Sequence, residues 1–335
     1  MKLLSVAIPC YNSAEYMSKC IESLLIDQEN IEIIIVNDGS TKDNTAEIAN
    51  DYAKKYPNTI KAIQKENGGH GSAVNAGLAN ATGKYFKVVD SDDYLEENSL
   101  KEVIAFLKTS DVDMVITNFL YDKQGAVTKR EMSYKDTLPV NRRFSWKDVK
   151  KFQLDQYFMM HSLIYKTQVL HDCKLELPHH TFYVDNAYVY FPLPFVKSMY
   201  YIDTCLYYYF IGREDQSVNE KIMLSRIDQQ VKVNKLLYNK YDLTTIKNSR
   251  LKSYMYHHLV LVTAVSTVLM LKEGSQEKLD EKVNLWQYLK EKNPSMYKRI
   301  RHFSLIGSTL NIPGEVGRKT ILQVYQMVQR HMGFN

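Results

Sequence analysis

Three carboxylates lie within four residues in the run VVDSDD, at Asp90, Asp92 and Asp93. Asp90 and Asp92 are two residues apart, so on an extended chain their side chains share one face. Paired carboxylates at a strand end make a site for a hard divalent cation. Upstream stand Asn67-Gly68-Gly69-His70-Gly71 and then Ser72. Glycines let backbone N–H groups approach an anion, because no side chain obstructs them. A cation beside such a loop suggests a bound diphosphate. No Gly-Lys-Ser/Thr follows, so the loop is not a P-loop. His70 has two open readings, one facing the diphosphate and one facing solvent, and Lys65 reads as a solvated lysine. Asp38, in VNDGS, is the other acid of interest; by itself Asp38-Gly39 reads as a turn with a helix cap just after it.

The elements around these residues alternate in type. Residues 4–9 form a short apolar strand, and residues 12–25 a helix that Asn12-x-x-Glu15 can open as a capping box. Residues 31–37, IEIIIVN, are nearly continuous and β-branched, as a central parallel strand requires. A helix over 42–56, a strand over 60–64, a short helix over 72–79 and a strand over 85–90 follow. Ser99-x-x-Glu102 can cap a helix running to Lys108, and 112–119 is a fifth strand. This order predicts an α/β fold with an open, doubly wound, mostly parallel sheet. Ligands on such sheets bind beyond the carboxyl ends of the strands, and Pro9, Asp38 and Asp90 all fall at such ends. Residues 120–215 mix strand-like and aromatic-rich segments, expected to pack on the sheet edge and cover the site. From about residue 220 the chain reads as helical, with few breakers before Asn293-Pro294.

The segments AIPCYNSAEYMSKCIESLL, IIIVNDGSTKDNT and ENGGHGSAVNAGLANATGKYFKVVDSDD together resemble the inverting glycosyltransferases of family 2, which have the GT-A fold. The resemblance is close over residues 3–120, weaker to about 215, and absent as a motif beyond. It implies a GT-A domain over 1–215, with a nucleotide-sugar half (1–120) and an acceptor half (121–215), followed by a helical region over 216–335. Asp90-Ser91-Asp92 matches the family's D-x-D element, which implies Mn²⁺ or Mg²⁺ held against the donor diphosphate. Asp92 is assigned as direct ligand, and Asp90 to the ribose or to the metal through water; Asp93 leaves the assignment among three acids. Pro9, Tyr11, Asn12 and Asp38 match the loops that enclose the base, with Asp38 accepting from a uracil-like ring N–H. Asn67, Gly68, Gly69 and Ser91 complete the nucleotide set. Asp185 stands where the family carries its general base, although Val184 precedes it here instead of Glu. The resemblance makes it the group that takes the acceptor's hydroxyl proton during a single displacement. His161 and His180 are candidates for the acceptor pocket, and Arg213 for a phosphate contact.

Composition bounds the rest. Hydrophobic residues make up 45% of 335, enough for a substantial core and against global disorder. The cysteines Cys10, Cys20, Cys173 and Cys205 are scattered without C-x-x-C, which argues against structural zinc and a disulfide framework, and for reduced thiols in the cytoplasm. No H-E-x-x-H or similar spacing suggests a histidine metal site. The N-terminus reads as a strand, not a signal peptide. The apolar run over 259–271 is shorter than the roughly 20 residues a bilayer crossing takes, and reads as a buried helix. Charge is uneven. Residues 221–335 carry 19 Lys/Arg against 8 Asp/Glu, and the first 220 carry 24 against 30. The basic third is read first as a solvated helical surface, with nucleic acid not expected as partner. Residues 316–333 form an amphipathic helix with Ile321, Leu322, Val324, Tyr325 and Val328, suited to peripheral membrane contact at the inner face or to self-association. The expected function is transfer of a sugar from a UDP-sugar to a hydroxyl of a surface polysaccharide, glycoprotein or lipid-linked acceptor. A nucleotidyltransferase is the rival enzyme, but AIPCYNSAEY holds no basic residue before Lys19; a non-catalytic nucleotide-sugar binder is the other, and the intact Asp90/Asp92 pair speaks against it.

Overall fold

The computed structural model describes residues 2–332 except 124, 126–128, 155, 214 and 215, with side chains described through residue 327. The chain divides into two compact units, Met1–Gly212 and Arg213–Asn335.

The first unit is built on a ten-stranded sheet among the described residues. Its strands are β1 (Leu4–Cys10), β2 (Ile31–Asp38), β3 (Ile60–Lys65), β4 (Tyr85–Val88), β5 (Tyr94–Leu95), β6 (Met114–Lys123), β7 (Arg130–Met132), β8 (Arg143–Phe144), β9 (Leu163–Lys166) and β10 (Met199–Ile211). The helices are α1 (Met17–Leu24), α2 (Thr45–Lys55), α3 (His70–Ala79), α4 (Glu97–Thr109), α5 (Thr167–Asp172) and α6 (Asp185–Tyr190). The strand order is β3-β2-β1-β4-β9-β6-β10-β5, with β7 on β6 and β8 on β10. β1 pairs in parallel with β2 and β4, and β2 with β3. β2 is buried along its whole length because Ile31, Ile33, Ile34, Ile35 and Val36 meet packing on both faces. The order reverses direction about β1, which is where an open sheet leaves a crevice at its carboxyl edge.

The sequence reading of a mostly parallel central sheet holds for β1 to β4 and for β6 with β10, while β5 and β8 on β10, β7 on β6, and β9 are antiparallel additions. β9, from the segment HSLIYK, inserts antiparallel between β4 and β6. A four-residue apolar run after a turn carries no signal of its strand partner, so only the fold reveals the insertion. Two caps also differ from expectation. α1 starts at Met17 with no side-chain cap, because Asn12 adopts φ +49 and bonds elsewhere. α4 is capped by Glu96, which accepts from the Ser99 N–H at 2.7 Å, and not by Ser99. None of the four cysteines is in a disulfide.

The second unit is helical: α7 (Glu220–Ser225), α8 (Ile227–Lys240), α9 (Ser249–Glu273), α10 (Gln276–Lys292), α11 (Pro294–His302), α12 (Leu305–Thr309) and α13 (Gly314–Met332). α9 is long and apolar enough to cross a bilayer, yet 78% of its most apolar stretch is buried, as in the core helix of a bundle. It packs against α8, α10 and α13. In α13, Ile321 is buried, Leu322 and Tyr325 are half-buried and Val324 is exposed; the Val328 side chain lies outside the described residues.

At the amino ends of β1 and β2, remote from the crevice, Glu32 is buried and gathers four donors. Ser5 Oγ donates at 2.5 Å, Thr82 N–H at 2.8 Å, Thr82 Oγ1 at 3.0 Å and Lys61 Nζ at 2.6 Å. Burial would raise its carboxyl, but these partners hold it below its ordinary value of 4.5. Glu32 therefore stabilises the fold at neutral pH and loses that contribution as pH falls through the lowered folded value. Glu32→Gln is expected to cost about 2 kcal/mol in a urea melt at pH 7, with a smaller difference from wild type at pH 3–4. Donor-nucleotide affinity should be unchanged.

Candidate functional site

The loops after β1 and β2 are tied together by Asn12. Its N–H donates to Ser40 Oγ at 2.9 Å, and its Oδ1 accepts from the Thr41 and Lys42 N–H groups at 3.2 and 3.1 Å. An asparagine tolerates its left-handed φ of +49 better than a branched residue would. Pro9 is buried inside β1, and the Tyr11 ring stands 49% exposed beside the loop. Asn12 thus shapes the rim, while Tyr11 has the exposure an aromatic stacking partner needs.

Asp38 ends β2 almost fully buried. Its Oδ1 accepts from the Gly68 N–H at 3.0 Å and from Lys65 Nζ at 2.5 Å. Its Oδ2 accepts from the Gly69 N–H at 2.7 Å, and its backbone carbonyl accepts from Asn67 Nδ2 at 2.9 Å. This corrects two expectations. The Gly68 and Gly69 amides, read as phosphate donors, face the Asp38 carboxylate. Lys65, read as solvated, is the ion-pair partner of that carboxylate. The glycines are needed for close approach: a Cβ on Gly39 would lie 2.7 Å from the Asn67 nitrogen, and Gly69 combines φ +81 with a Cβ position 3.1 Å from the His180 nitrogen. The His180 N–H in turn donates to the Gly68 carbonyl at 2.6 Å, while the residue is exposed. His180 thereby fastens the second half of the unit to the glycine loop.

The acid cluster follows β4. Asp90 Oδ1 lies 2.8 Å from His70 Nε2, and its Oδ2 lies 3.8 Å from His161 Nε2. The Asp90 N–H donates to Tyr207 Oη at 3.2 Å. That hydroxyl donates in turn to the Asp93 carboxylate, which also accepts from the Phe210 N–H at 2.7 Å. Ser91 Oγ meets Ser13 Oγ at 2.9 Å, joining the cluster to the loop after β1. Asp92 is half-buried between Ser91 and Asp93. Asp90, Asp93 and His161 each bring a ligand atom within 4.8 Å of the others. A histidine thus joins the acids through the fold, where linear spacing gave no sign of one.

The surroundings divide the charge. Burial would raise Asp90, but His70, then His161 and Lys87, hold its carboxyl low. Asp93 is pushed well above the usual carboxylate range by burial, then by Asp92 and Asp90. Burial, helped by Lys87 and His70 against the pull of Asp90, lowers the His161 ring to about 4, so it is neutral at pH 7. Its Nδ1 is buried without a hydrogen-bond partner, and a neutral imidazole is the form that ligates a metal. His70 moves the other way: against burial, Asp90, Asp185 and Asp92 raise it.

Asp185 opens α6 from the second half. Val184 holds the cap position without a side-chain cap bond, and Asp185 stands in the first turn, where the backbone N–H groups of Asn186 and Asp185 act to lower its carboxyl. Burial raises its carboxyl, with His70 lowering and Asp90 raising it further. The two halves of the unit are therefore electrostatically joined at His70. Arg213 begins the second unit, where its N–H donates to Gln216 Oε1 at 3.2 Å.

One residue went unread in the sequence. Lys87 is fully buried in β4; its Nζ donates to the His161 carbonyl at 2.6 Å and sits 5.1 Å from the centre of the Tyr207 ring. Burial lowers it to about 7 despite Asp90. A lysine inside the apolar run FKVV was the available signal. Tyr207, in the run Tyr207-Tyr208-Tyr209-Phe210, is open in sequence to sugar stacking or core packing; the structure buries it, with its hydroxyl on Asp93.

Comparison with known proteins bears on this site. The model of glycosyl transferase family 2 matches residues 5–168. Glycosyltransferase GlyG of Streptococcus pneumoniae is 39% identical over 125 residues, 36% of this chain and 41% of that protein. The minor teichoic acid biosynthesis protein GgaB of Bacillus subtilis is 40% identical over 116 residues, 33% of this chain and 13% of that protein. This chain thus spans less than half the length of these curated relatives. S. aureus TarS 1–349, solved also in complex with UDP-GlcNAc, superposes with a TM-score of 0.67 over 98% of this chain and 92% of that one, at about 20% identity. The fold is therefore GT-A, and the stretch that matches the model of glycosyl transferase family 2 holds the glycine loop and Asp90, Asp92 and Asp93.

Proposed function

We propose that this protein transfers a sugar from a nucleotide donor, a UDP-sugar, to a hydroxyl of a surface polysaccharide or related glycan, with inversion at the anomeric carbon. The observation that carries this reading is the opposition of two acids around His70. Asp90, held ionised, belongs to the strand-end cluster, and Asp185, held with a raised pKa, belongs to the other half. One suits a cation and diphosphate, and the other suits proton removal.

The donors fit Mn²⁺ or Mg²⁺: Asp90, Asp93 and His161 bring ligand atoms within 4.8 Å of one another, with His161 Nε2 3.8 Å from Asp90 Oδ2, and Asp92 stands beside them in the same turn. We assign Asp92 and Asp90 to hold the ion, and Asp93 to hold Tyr207 and β10. When bound, such an ion neutralises the charge that gathers on the diphosphate oxygens as they leave. Asp38 orders the glycine loop, and Pro9, Tyr11, Asn12 and Ser91 line the nucleoside side. A base N–H reaching Asp38 would share a carboxylate already bound to Gly68, Gly69 and Lys65. Asp185 takes the proton of the acceptor hydroxyl as its oxygen bonds to the anomeric carbon and the carbon–oxygen bond to the diphosphate breaks. His180 is assigned to the acceptor side, and His161, expected there from sequence, to the cation cluster beside Asp90. The TarS complex with UDP-GlcNAc supports a UDP-sugar donor, and the GgaB similarity supports a cell-surface polymer as acceptor.

A hydrolysis panel of UDP-sugars with and without Mn²⁺ tests class, donor and metal together. Chelation should abolish turnover and Mn²⁺ should restore it. Asp92→Asn should lower kcat by about 10²-fold or more; activity near wild type would sink the metal assignment.

Asp185→Asn should leave donor affinity, measured by calorimetry with UDP, within a factor of about two, while lowering kcat by about 10²–10⁴-fold. Weakened UDP binding with intact kcat would remove Asp185 from the role of base.

A base works ionised, so kcat should fall as pH drops through the raised Asp185 value. His70 lowers that value. His70→Gln should therefore move the acid limb of the kcat profile to higher pH, and a shift to lower pH would contradict the arrangement.

A further inference from the structure

We propose that the exposed face of α11–α13 docks on an anionic lipid surface. This inference rests on the second unit alone and stands apart from the transfer chemistry. Three observations carry it.

The first is an apolar excess. Phe303, Leu305 and Val316 are 78%, 69% and 79% exposed, and Ile312, Val324 and Met327 are 43%, 50% and 61% exposed. Single exposed apolar side chains are ordinary, but six within 25 residues of one helical hairpin are not.

The second is that α13 has two apolar faces. Gly317 and Ile321 are buried, with Leu322 and Tyr325 half-buried beside them, and α13 packs on α9. At about 100° per residue, Val316, Thr320, Val324 and Met327 fall within an arc of about 80°, centred about 130° from the buried and half-buried set. Arg318 is drawn inward, where its Nε donates to the Leu271 carbonyl at 2.9 Å. One face holds the helix to its own unit, and the other has no packing to explain it among the described residues.

The third is charge. Residues 294–327 hold Lys298, Arg299, Arg301, Arg318 and Lys319 against one acid, Glu315. Lys298, Arg299 and Lys319 are exposed, and Lys290 and Lys292 add exposed charge at the end of α10. An acidic lipid surface complements this charge, and its acyl boundary takes up the apolar side chains; a water-soluble polyanion would satisfy only the charge. A second copy of the chain would place like charges against each other, which disfavours self-association on this face.

The test is flotation of the full chain with vesicles of phosphatidylcholine alone or with about 30 mol% phosphatidylglycerol. The protein should float with the anionic vesicles only, and less at about 0.5 M salt. Val316→Asp with Val324→Asp should lower partition at least about ten-fold. Lys298→Gln should lower it about five-fold. Thr320→Leu, which extends the stripe, should raise partition, and this gain keeps the test decisive should the double variant unfold. No flotation on anionic vesicles, or flotation unchanged across the variants, overturns the proposal. So does a dimer in sedimentation that Val316→Asp dissolves, because the face would then be covered by a second copy.

Discussion

Three carboxylates within four residues cannot all be ionised in a partly buried strand end without strong mutual repulsion. The first unit is organised around the relief of that repulsion. Asp90 keeps its charge chiefly because His70 bonds it at 2.8 Å, with His161 and the buried Lys87 close by. Asp93 is disposed of differently: Tyr207 and the Phe210 N–H tie it to β10, and its carboxyl is driven toward the protonated form. The solution draws on elements far apart in sequence. α3 supplies His70, β4 supplies Lys87, the turn before β9 supplies His161, and β10 supplies Tyr207. The antiparallel insertion of β9 matters for this reason, since it brings His161 beside a strand end more than 70 residues earlier. Lys87 then joins both, donating to the His161 carbonyl from the strand that leads to Asp90.

A second acid plays a mechanical part. Asp38 takes two backbone N–H groups from the glycine loop and a lysine, so the loop is held to the end of β2 by one carboxylate. A loop so held presents its outer surface to the 177–181 segment of the other half, and the His180 N–H closes on the Gly68 carbonyl. The glycines are required less for an anion than for backbone meeting backbone at this seam. Glycine-rich loops read from sequence alone are readily assigned to phosphate, because the demand for small residues is the same whether the neighbour is a ligand or another strand of the chain.

The second unit follows simpler rules. α9 is apolar around most of its circumference and becomes the axis of the bundle, which is what a helix without a polar face must do away from lipid. The basic excess of this third of the chain is borne mainly on exposed helix surfaces, and α13 adds an apolar stripe beside it. Periodicity identified an amphipathic helix there but could not separate its two apolar faces, because both repeat at helical spacing.

Sequence by itself determined the alternation of strand and helix over the first 120 residues, the positions of Asp38, Asp90 and Asp92 at strand ends, and the helical character beyond residue 220. These are local properties: β-branched runs, glycine and aspartate clusters, and periodic apolar spacing act over a few residues. Only tertiary structure decided that the Gly68 and Gly69 amides face Asp38, that His161 stands beside Asp90 and Asp93, that His70 lies between Asp90 and the charge of Asp185, and that β9 runs antiparallel between β4 and β6. The reason is that a carboxylate's partners are set by what burial brings within about 3 Å, and those partners come from segments separated by 20 to 120 residues, over which linear pattern carries no record of contact.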